Sequence, residues 1–383
     1  MWPGVIRGNW APVPPRSEPC PPGLDEPELV EPDPDDALLL ESAGLTFSSD
    51  VEPGLRRRRA GRGFSYRDAE GNRLDDDTIA RIRGLAIPPA WSDVWICPDA
   101  TGHLQATGRD ARGRKQYRYH DDWRQIREDT KFEQLGAFAA ALPDVRRTID
   151  ADLARPGMPQ EKVLALVMAL LDQTLIRVGN DEYRRANGTF GLTTLYRRHV
   201  QVNGSTLHFR FVGKGGQRHE VRITDRRLAA MVRRCHELGG REVFSYLDDA
   251  GELTRVDSAA CNEYLRSVAG EDATVKTFRT WGATATVVEQ LADAPLEIDG
   301  EAEDAERCVS DRTVSDRAVL DAIDVAARRL GNTRAVARRS YVHPRVLDAY
   351  ADGSLDEAWQ RSRRSRLLSR AERTAERVLA PER

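Results

Sequence analysis

One tyrosine near the C-terminal end of the chain, Tyr341, lies in a basic stretch whose residue types suit phosphodiester chemistry. The segment LGNTRAVARRSYVHP, residues 330–344, places Asn332 nine residues before this tyrosine and Arg338 and Arg339 just before it. Clustered cations favour the phenolate form of tyrosine and hold an anionic phosphorus centre in place, so the hydroxyl is a candidate nucleophile. An Arg-rich helix with a tyrosine is more often a solvated face with an anchoring aromatic residue, so matching groups must come from elsewhere.

Three basic residues upstream of the tyrosine are the candidates for those matching groups. Arg177 follows the apolar pattern EKVLALVMALLDQTL, which predicts a buried helix that ends near Gly179 and Asn180. Lys214 lies in the Gly-rich connection GKGG between two predicted strands, and Arg279 lies on the predicted helix KTFRTWGATATVVEQLA. Each has an ordinary interpretation, because a cation in a last helical turn complements the helix dipole and a lysine in a turn is usually solvated.

The elements that would position these residues fall into two regions of different character. The segments DVWICPD, HLQATGRD and KQYRYH alternate and are separated by Gly-containing turns, which predicts an antiparallel meander. From residue 121 onward long helical patterns dominate, interrupted by the strand patterns RRHVQV, STLHFRFV and QRHEVRI. We therefore predict an α+β protein with a small β-rich N-terminal lobe, residues 41–125, and a mostly α-helical catalytic lobe, residues 126–383, that carries a three-stranded antiparallel sheet.

The charge distribution permits a polyanionic partner. The 383 residues carry a net charge of −3, but residues 1–54 contain 11 acidic residues and 2 arginines, which leaves 50 acidic and 56 basic residues in the remainder. Residues 1–40 are rich in proline and acidic residues, and we predict a disordered extension there. A basic body behind an acidic tail is compatible with nucleic-acid binding.

Several protein classes are disfavoured by the composition. No run approaches 18 apolar residues and the N-terminal segment lacks the regions of a signal peptide, so we expect a cytoplasmic, nucleoid-associated protein. The five cysteines are scattered without a CxxC pair, and the seven histidines form no HExxH motif. We expect free thiols, no metal site and no cofactor.

The order and local context of the motifs resemble the type IB DNA topoisomerases, in the compact bacterial branch that is similar to the poxvirus enzymes. The resemblance covers roughly residues 64–350, whereas the acidic extension and the far C-terminal tail lie outside it. The motifs that carry it are IPPAW, GHLQATGRDARGRKQYRYH, IRVGN with GLTTL, FVGKGG, KTFRTWGAT and LGNTRAVARRSY. It implies the catalytic fold shared by tyrosine recombinases and type IB topoisomerases. It also implies a monomer that clamps double-stranded DNA, needs no small-molecule cofactor and does not bind a membrane.

The resemblance also implies a role for each candidate residue. Tyr341 would be the nucleophile, Arg177 and Arg279 would hold the nonbridging phosphate oxygens, and Lys214 would protonate the departing 5′-oxygen. Asn332 occupies the position where many relatives carry a histidine, so only a neutral hydrogen-bonding role carries over. A helix N-cap is the alternative interpretation of Asn332.

Five further positions match residues that contact DNA in the family. They are Gln116, Tyr117, Tyr119, Tyr183 and Lys276. Tyr117 and Tyr119 are separated by two positions on a predicted strand, so they point to one face beside basic residues. Such a face suits a phosphate backbone, although a solvated strand face explains the pattern equally well.

The function implied is relaxation of supercoiled duplex DNA by transient cleavage of one strand through a 3′-phosphotyrosyl intermediate, independent of ATP and metal. Two alternatives remain open at this point. The first is a site-specific tyrosine recombinase, which the IPPAW and QYRY motifs disfavour. The second is a DNA-binding protein without catalysis, which the presence of all four catalytic residue types disfavours.

The spacing in the opening stretch sets a geometric constraint. If Asn332 and Tyr341 belonged to one straight helix, nine residues would separate them by roughly 14 Å along its axis. Both side chains could not then contact one phosphate. The sequence therefore predicts a helix break before Tyr341, or a tyrosine held away from the site until DNA binds.

Overall fold

The chain divides into two compact units, Met1–Ile126 and Arg127–Arg383. The computed structural model describes residues 34–61, 63–111, 113–181, 184–185, 188–248, 250–294 and 305–380, with the backbone alone for 34–36, 128, 131 and 305–315. Helices and antiparallel sheets occur together, which confirms the prediction of a mixed α and β protein. Within the described ranges, no helix has the length and apolar character needed to cross a membrane.

The first unit is built on a five-stranded antiparallel sheet with the strand order β2-β1-β3-β4-β5. Its elements are α1 (Pro34–Ser42), β1 (Leu55–Ala60), β2 (Gly63–Arg67), α2 (Asp76–Gly84), β3 (Ser92–Ile96), β4 (Leu104–Arg109) and β5 (Lys115–Tyr119). The predicted meander forms β3, β4 and β5. Ile96 of β3 and Ala106 of β4 pack against Ile82 of α2, whereas Tyr117 of the edge strand β5 is exposed.

The helix α1 occupies part of the segment for which disorder was predicted. Residues 1–33 of that prediction lie outside the described residues, but residues 34–40 are helical. Leu40 is buried and clusters with Leu45 and Trp123. The apolar run at residues 38–40 therefore has a packing partner far along the chain. Burial of Leu40 against this partner offsets the entropic cost of ordering a segment whose composition is otherwise polar.

The second unit is mostly helical around one apolar core. Its helices are α3 (Asp121–Leu153), which starts at the end of the first unit, α4 (Gln160–Thr174), α5 (Arg226–Leu238), α6 (Ser258–Ala269), α7 (Thr277–Ala292), α8 (Ala305–Leu330), α9 (Arg334–Tyr341), α10 (Pro344–Ala351), α11 (Ser354–Gln360) and α12 (Arg370–Leu379). The strands β6 (Val200–Asn203), β7 (Thr206–Val212) and β8 (Arg218–Thr224) form a three-stranded antiparallel sheet, and β9 (Ser245–Leu247) pairs with β10 (Leu253–Arg255). Helices α4 and α7 contribute the longest buried runs of this core.

Helix α4 ends earlier than the sequence predicts. It ends at Thr174, not near Gly179, because Leu175 adopts a left-handed conformation with φ of 55° and its N–H bonds back to the Leu171 carbonyl at 2.9 Å. The Leu175 side chain packs so tightly on α7 that a Cβ at Gly282 would lie 2.5 Å from it. Arg177 therefore follows the helix in a non-helical segment, and the helix-dipole interpretation of this residue is wrong.

The C-terminal tail packs into the core through a buried ionic network. The segment LDEAWQRSRRSRLLSRAERTAERVLAPER, residues 355–383, predicts one Arg-rich amphipathic helix, but the structure has two helices, α11 and α12, separated by non-helical residues 361–369. Glu372 of α12 accepts hydrogen bonds from Arg146 at 2.7 Å and from Trp281 Nε1 at 3.2 Å. Because Trp281 lies on α7, the tail is fixed to the helix that carries Arg279.

We expect Glu372→Gln to destabilise the protein by about 2 kcal/mol in urea unfolding, because it removes a charged partner from a buried guanidinium. Burial raises the pKa of Glu372, but the bonds from Arg146 outweigh this and hold it below its ordinary value. The stabilisation by the ion pair is therefore present above the ordinary carboxyl pKa and is lost as the pH falls through the lowered pKa of Glu372.

Glu376→Gln is the matched control, because the pair of Glu376 with Arg373 is partly exposed and contributes less than about 0.5 kcal/mol. Equal losses of unfolding free energy in the two variants would show that the buried pair of Glu372 and Arg146 stabilises the protein no more than the exposed pair does.

Candidate active site

Arg279 is a buried cation held by the C-terminal ends of two helices. It lies in the first turn of α7 and is 4% exposed. Its Nη1 donates to the carbonyl of Leu175, where α4 ends, and its Nη2 donates to that of Leu330 at 2.9 Å, where α8 ends. Helix C-termini carry unpaired carbonyls and partial negative charge, so they stabilise a cation. Burial, followed by the charge of Arg177, lowers the pKa of Arg279 to about 10, which still leaves it protonated at neutral pH.

Tyr341 contacts this cation. It is the last residue of α9, and the centre of its ring lies 5.3 Å from Arg279 Cζ. Burial raises the pKa of the Tyr341 hydroxyl, but the charges of Arg279 and Arg177 outweigh it, so the pKa lies below its ordinary value. The site therefore favours the phenolate, which is the nucleophilic form.

Arg177 is positioned by backbone pairing with the GLTTL motif. Its carbonyl accepts the N–H of Leu192 at 2.9 Å, and the next carbonyl, that of Val178, accepts the N–H of Thr193 at 2.7 Å. The two segments approach so closely that a Cβ at Gly191 would lie 2.5 Å from the Arg177 carbonyl oxygen. The guanidinium then donates to Asn332 Oδ1 at 2.6 Å, so the IRVGN, GLTTL and LGNTR motifs meet at one place.

Asn332 lies in the turn between two helices. Gly331, with φ of 62°, and the N–H of Asn332, which bonds to the Ala327 carbonyl at 2.9 Å, together end α8. The N-cap of α9 is Thr333, whose side chain accepts from Val336 N, so the N-cap interpretation of Asn332 is wrong. The chain is thus interrupted at residues 331–333, as the spacing predicts, and Tyr341 is not held away from the two arginines.

The site contains buried hydrogen-bond donors without acceptors. Among the described residues, three buried side-chain nitrogen atoms lack a partner, and two of them are Arg279 Nε and Asn332 Nδ2. Both side chains are close enough to Tyr341 to lower its pKa, yet these nitrogen atoms lie outside hydrogen-bond geometry. Buried unpaired donors are costly, so their concentration beside one hydroxyl indicates a binding position for an anion.

Lys214 lies at the tip of the β7–β8 hairpin. Its side chain is exposed, and the two residues that follow, Gly215 and Gly216, have φ of 78° and 77°. The turn is closed by the N–H of Gly213, which donates to the Gln217 carbonyl at 2.8 Å. Glycine is needed at the two positive-φ positions because a side chain there is strained.

Thr284 fixes the end of the helix that carries Tyr341. It lies on α7 five residues after Arg279 and is completely buried. Its hydroxyl donates to the Tyr341 carbonyl at 3.2 Å and accepts the N–H of His343 at 3.2 Å. One helix therefore holds both the cation and the backbone of the tyrosine. Thr284 is not among the residues predicted from the sequence, where the signal for it is a threonine in the apolar part of the helix pattern KTFRTWGATATVVEQLA.

The five predicted DNA-contact residues are distributed over both units. On β5, the exposed rings of Tyr117 and Tyr119 stack with centroids 6.1 Å apart, and Gln116 donates to Asp110 at 3.2 Å. Lys276 is exposed and precedes α7. Tyr183 lies outside the described residues. Within the described chain, no group of three or more His, Cys, Asp or Glu side chains is arranged to hold a metal ion.

Comparison with known proteins identifies the family. A family model of the catalytic core of eukaryotic DNA topoisomerase I matches residues 120–366, and one of the N-terminal domain of bacterial DNA topoisomerase IB matches residues 63–110. The chain belongs to the type IB DNA topoisomerases. It is similar to DNA topoisomerase 1B of Acanthamoeba polyphaga mimivirus, with 30% identity over 302 residues, which is 78% of this chain and 87% of the relative. It is also 27% identical to DNA topoisomerase 1B of vaccinia virus over 158 residues, or 39% of this chain and 49% of the relative.

The topoisomerase core match contains the whole cluster around Tyr341. Arg177, Lys214, Arg279 and Asn332 all lie inside residues 120–366, whereas the tyrosines of β5 lie between the two matched regions. Helix α12 lies beyond the match, although it packs against α7. In this member of the topoisomerase family, the tail therefore contributes to the environment of the core.

We expect Thr284→Val to slow DNA strand cleavage by about 10- to 100-fold, because valine keeps the shape but removes the hydroxyl that fixes the Tyr341 backbone. Thr284→Ser is the control and should stay within a few-fold of the unmodified protein. The measurement is the single-turnover rate of covalent complex formation with saturating DNA. A valine variant that cleaves as fast as the serine variant would show that this hydroxyl does not position the tyrosine.

Proposed function

We propose that the protein relaxes supercoiled duplex DNA by cutting and resealing one strand through Tyr341. The observation that carries this proposal is the clustering of Arg177, Arg279 and Asn332 around a tyrosine hydroxyl whose pKa is lowered. Two donors of this cluster, Arg279 Nε and Asn332 Nδ2, have no acceptor among the described residues. A phosphodiester supplies both the anion for the cations and the electrophile for the tyrosine.

In the proposed reaction, Tyr341 Oη attacks the phosphorus atom and the bond from phosphorus to the 5′-oxygen breaks. The products are a 3′-phosphotyrosyl link and a strand with a 5′-hydroxyl. Arg177 and Arg279 stabilise the negative charge of the transition state, and removal of one such donor commonly costs about 10²- to 10³-fold in rate. Attack of the 5′-hydroxyl on the link reseals the strand and releases Tyr341, so the covalent bond conserves the energy and ATP is not consumed.

Lys214 is proposed as the general acid for the leaving 5′-oxygen. An alkoxide is a poor leaving group, so transfer of a proton from an ammonium group assists its departure. The exposed position of Lys214 on a glycine-rich hairpin tip leaves its side chain accessible to a bound substrate.

We also propose that both units grip the duplex as a monomeric clamp. In the second unit, the cation cluster would hold the scissile phosphate within the catalytic fold of this family. In the first unit, the stacked exposed rings of Tyr117 and Tyr119 lie beside Lys115, whose Nζ is 5.5 Å from the Tyr117 ring. Aromatic and basic groups on one strand face suit the sugar–phosphate backbone.

The test of this function is a plasmid relaxation assay with EDTA and without ATP. The unmodified protein should convert supercoiled plasmid into a ladder of relaxed topoisomers. Tyr341→Phe should bind DNA with unchanged affinity and produce no ladder, because phenylalanine keeps the ring but lacks the nucleophile.

Other outcomes of this assay would favour other functions. DNA binding without relaxation by the unmodified protein at any salt concentration would contradict the proposal and indicate a non-catalytic DNA-binding protein. Strand exchange between duplexes that share a sequence, without relaxation, would indicate a recombinase.

The lowered pKa of Tyr341 predicts a pH effect. The cleavage rate should rise with pH until the tyrosine is deprotonated, and the charge of Arg279 is the largest effect that lowers its pKa. Arg279→Gln should therefore move the rising limb of the pH–rate profile to higher pH, in addition to lowering the maximum. Arg338→Gln, an exposed change on the same helix as Tyr341, should leave the limb in place. An unshifted limb in Arg279→Gln would show that this charge does not set the tyrosine pKa.

A further inference from the structure

His219 is a residue of the second unit that the proposed chemistry does not use, although it lies next to the cation cluster. It lies on β8 opposite Phe211 of β7, and the two rings stack with centroids 5.0 Å apart and planes 10° from parallel. Phe211 is buried, so it provides a fixed platform for the imidazole.

Two glycines leave room for the imidazole ring. A Cβ at Gly213 would lie 2.6 Å from its Cδ2 and Nε2, and a Cβ at Gly331 would lie 2.5 Å from its Cε1. At Gly213 the backbone has φ of −99°, which any residue adopts, so the constraint there is space and not conformation. The ring therefore fills the gap between these two backbone positions.

The two glycines directly precede two of the proposed active-site residues. Gly213 is followed by Lys214 at the hairpin tip, and Gly331 is followed by Asn332. The residue before Gly331, Leu330, offers its carbonyl to Arg279 at 2.9 Å. A shift of the His219 ring would thus move the hairpin tip relative to the turn that holds Asn332 and Arg279.

The electrostatic surroundings explain why a neutral ring suits this position. Burial, and then the charges of Arg177 and Arg279, lower the pKa of His219 to about 4. The imidazole is therefore neutral at physiological pH. A permanently charged side chain here would repel the two arginines, whereas the neutral ring separates the segments without competing for the phosphate.

We propose that His219 is a positioning residue for strand cleavage, which sets the location of Lys214 relative to the cation cluster through its contacts with Gly213 and Gly331. This inference rests on the proposed function, in which Lys214 protonates the leaving oxygen. His219 itself need not touch the DNA.

The test compares two leaving groups in single-turnover cleavage at a mapped cleavage position. One duplex has the ordinary 5′-oxygen, and the other has a 5′-bridging sulfur, which leaves as a thiolate and needs no proton. His219→Ala should cut the oxygen substrate about 10²-fold more slowly, since small displacements of a catalytic group have effects of this size, and the sulfur substrate at nearly the unmodified rate. DNA affinity and melting temperature should be little changed.

The controls separate this proposal from the function on which it rests. Lys214→Ala should also be rescued by sulfur, and its failure to be rescued would contradict the general-acid role of Lys214. His208→Ala, the same change on the neighbouring strand, should leave the ratio of the two rates unchanged. Equal slowing of both substrates by His219→Ala would overturn the positioning role.

Gly213→Ala tests the contact in a variant that retains His219, so this arm does not depend on the folding of His219→Ala. Gly213→Ala adds a methyl group against the ring and should slow cleavage of the oxygen substrate. In the His219→Ala background the same methyl group has room, so it should cause little further loss. A Gly213→Ala variant that cleaves the oxygen substrate at the unmodified rate would refute the contact. So would an equal reduction of the cleavage rate by Gly213→Ala in the unmodified protein and in His219→Ala.

Discussion

The second unit depends on one costly arrangement, the placement of the Arg279 guanidinium in the protein interior. A buried cation is tolerated only when fixed dipoles or charges replace its hydration. In this unit, the carbonyl groups at the ends of α4 and α8 replace the hydration of the Arg279 guanidinium. Both helices must therefore end at these residues. The left-handed Leu175 and the positive φ of Gly331 are the local devices that end them. The remaining Nε has no acceptor in the described part of the chain and lies beside the tyrosine.

This arrangement couples parts of the chain that are distant in sequence. Helix α7 carries the cation, holds the Tyr341 backbone through Thr284, and is bonded to the C-terminal tail through Trp281. Arg177, in the segment after α4, also lies near Tyr341 and donates a hydrogen bond to Asn332. The lowered pKa of Tyr341 thus depends on two charges from distant segments, Arg279 on α7 and Arg177 in the non-helical segment after α4.

Alternation and glycine turns are local patterns, and they predicted the strands of the meander, whereas the roles of the motif residues stay predictions. The sequence did not predict where α4 ends, because Leu175 is a poor candidate for a left-handed cap and only its packing against Gly282 explains it. The burial of Leu40 was missed for a similar reason, because its partner Trp123 is distant in sequence, whereas the cap at Thr333 is a local signal, since threonine is a preferred N-cap residue. The proposed role of His219 could not be recognised in the sequence, because it rests on contacts between distant segments.

In the proposed reaction, Tyr341 forms a covalent bond to the 3′ end of a cleaved DNA strand. The most direct measurement is to denature the protein with detergent during reaction with duplex DNA, digest it with trypsin and nuclease, and identify the modified peptide by mass spectrometry. We expect a nucleotide joined through its 3′-phosphate to the peptide of residues 340–345, which contains Tyr341. A link through a 5′-phosphate, or a nucleotide on another residue, would contradict it.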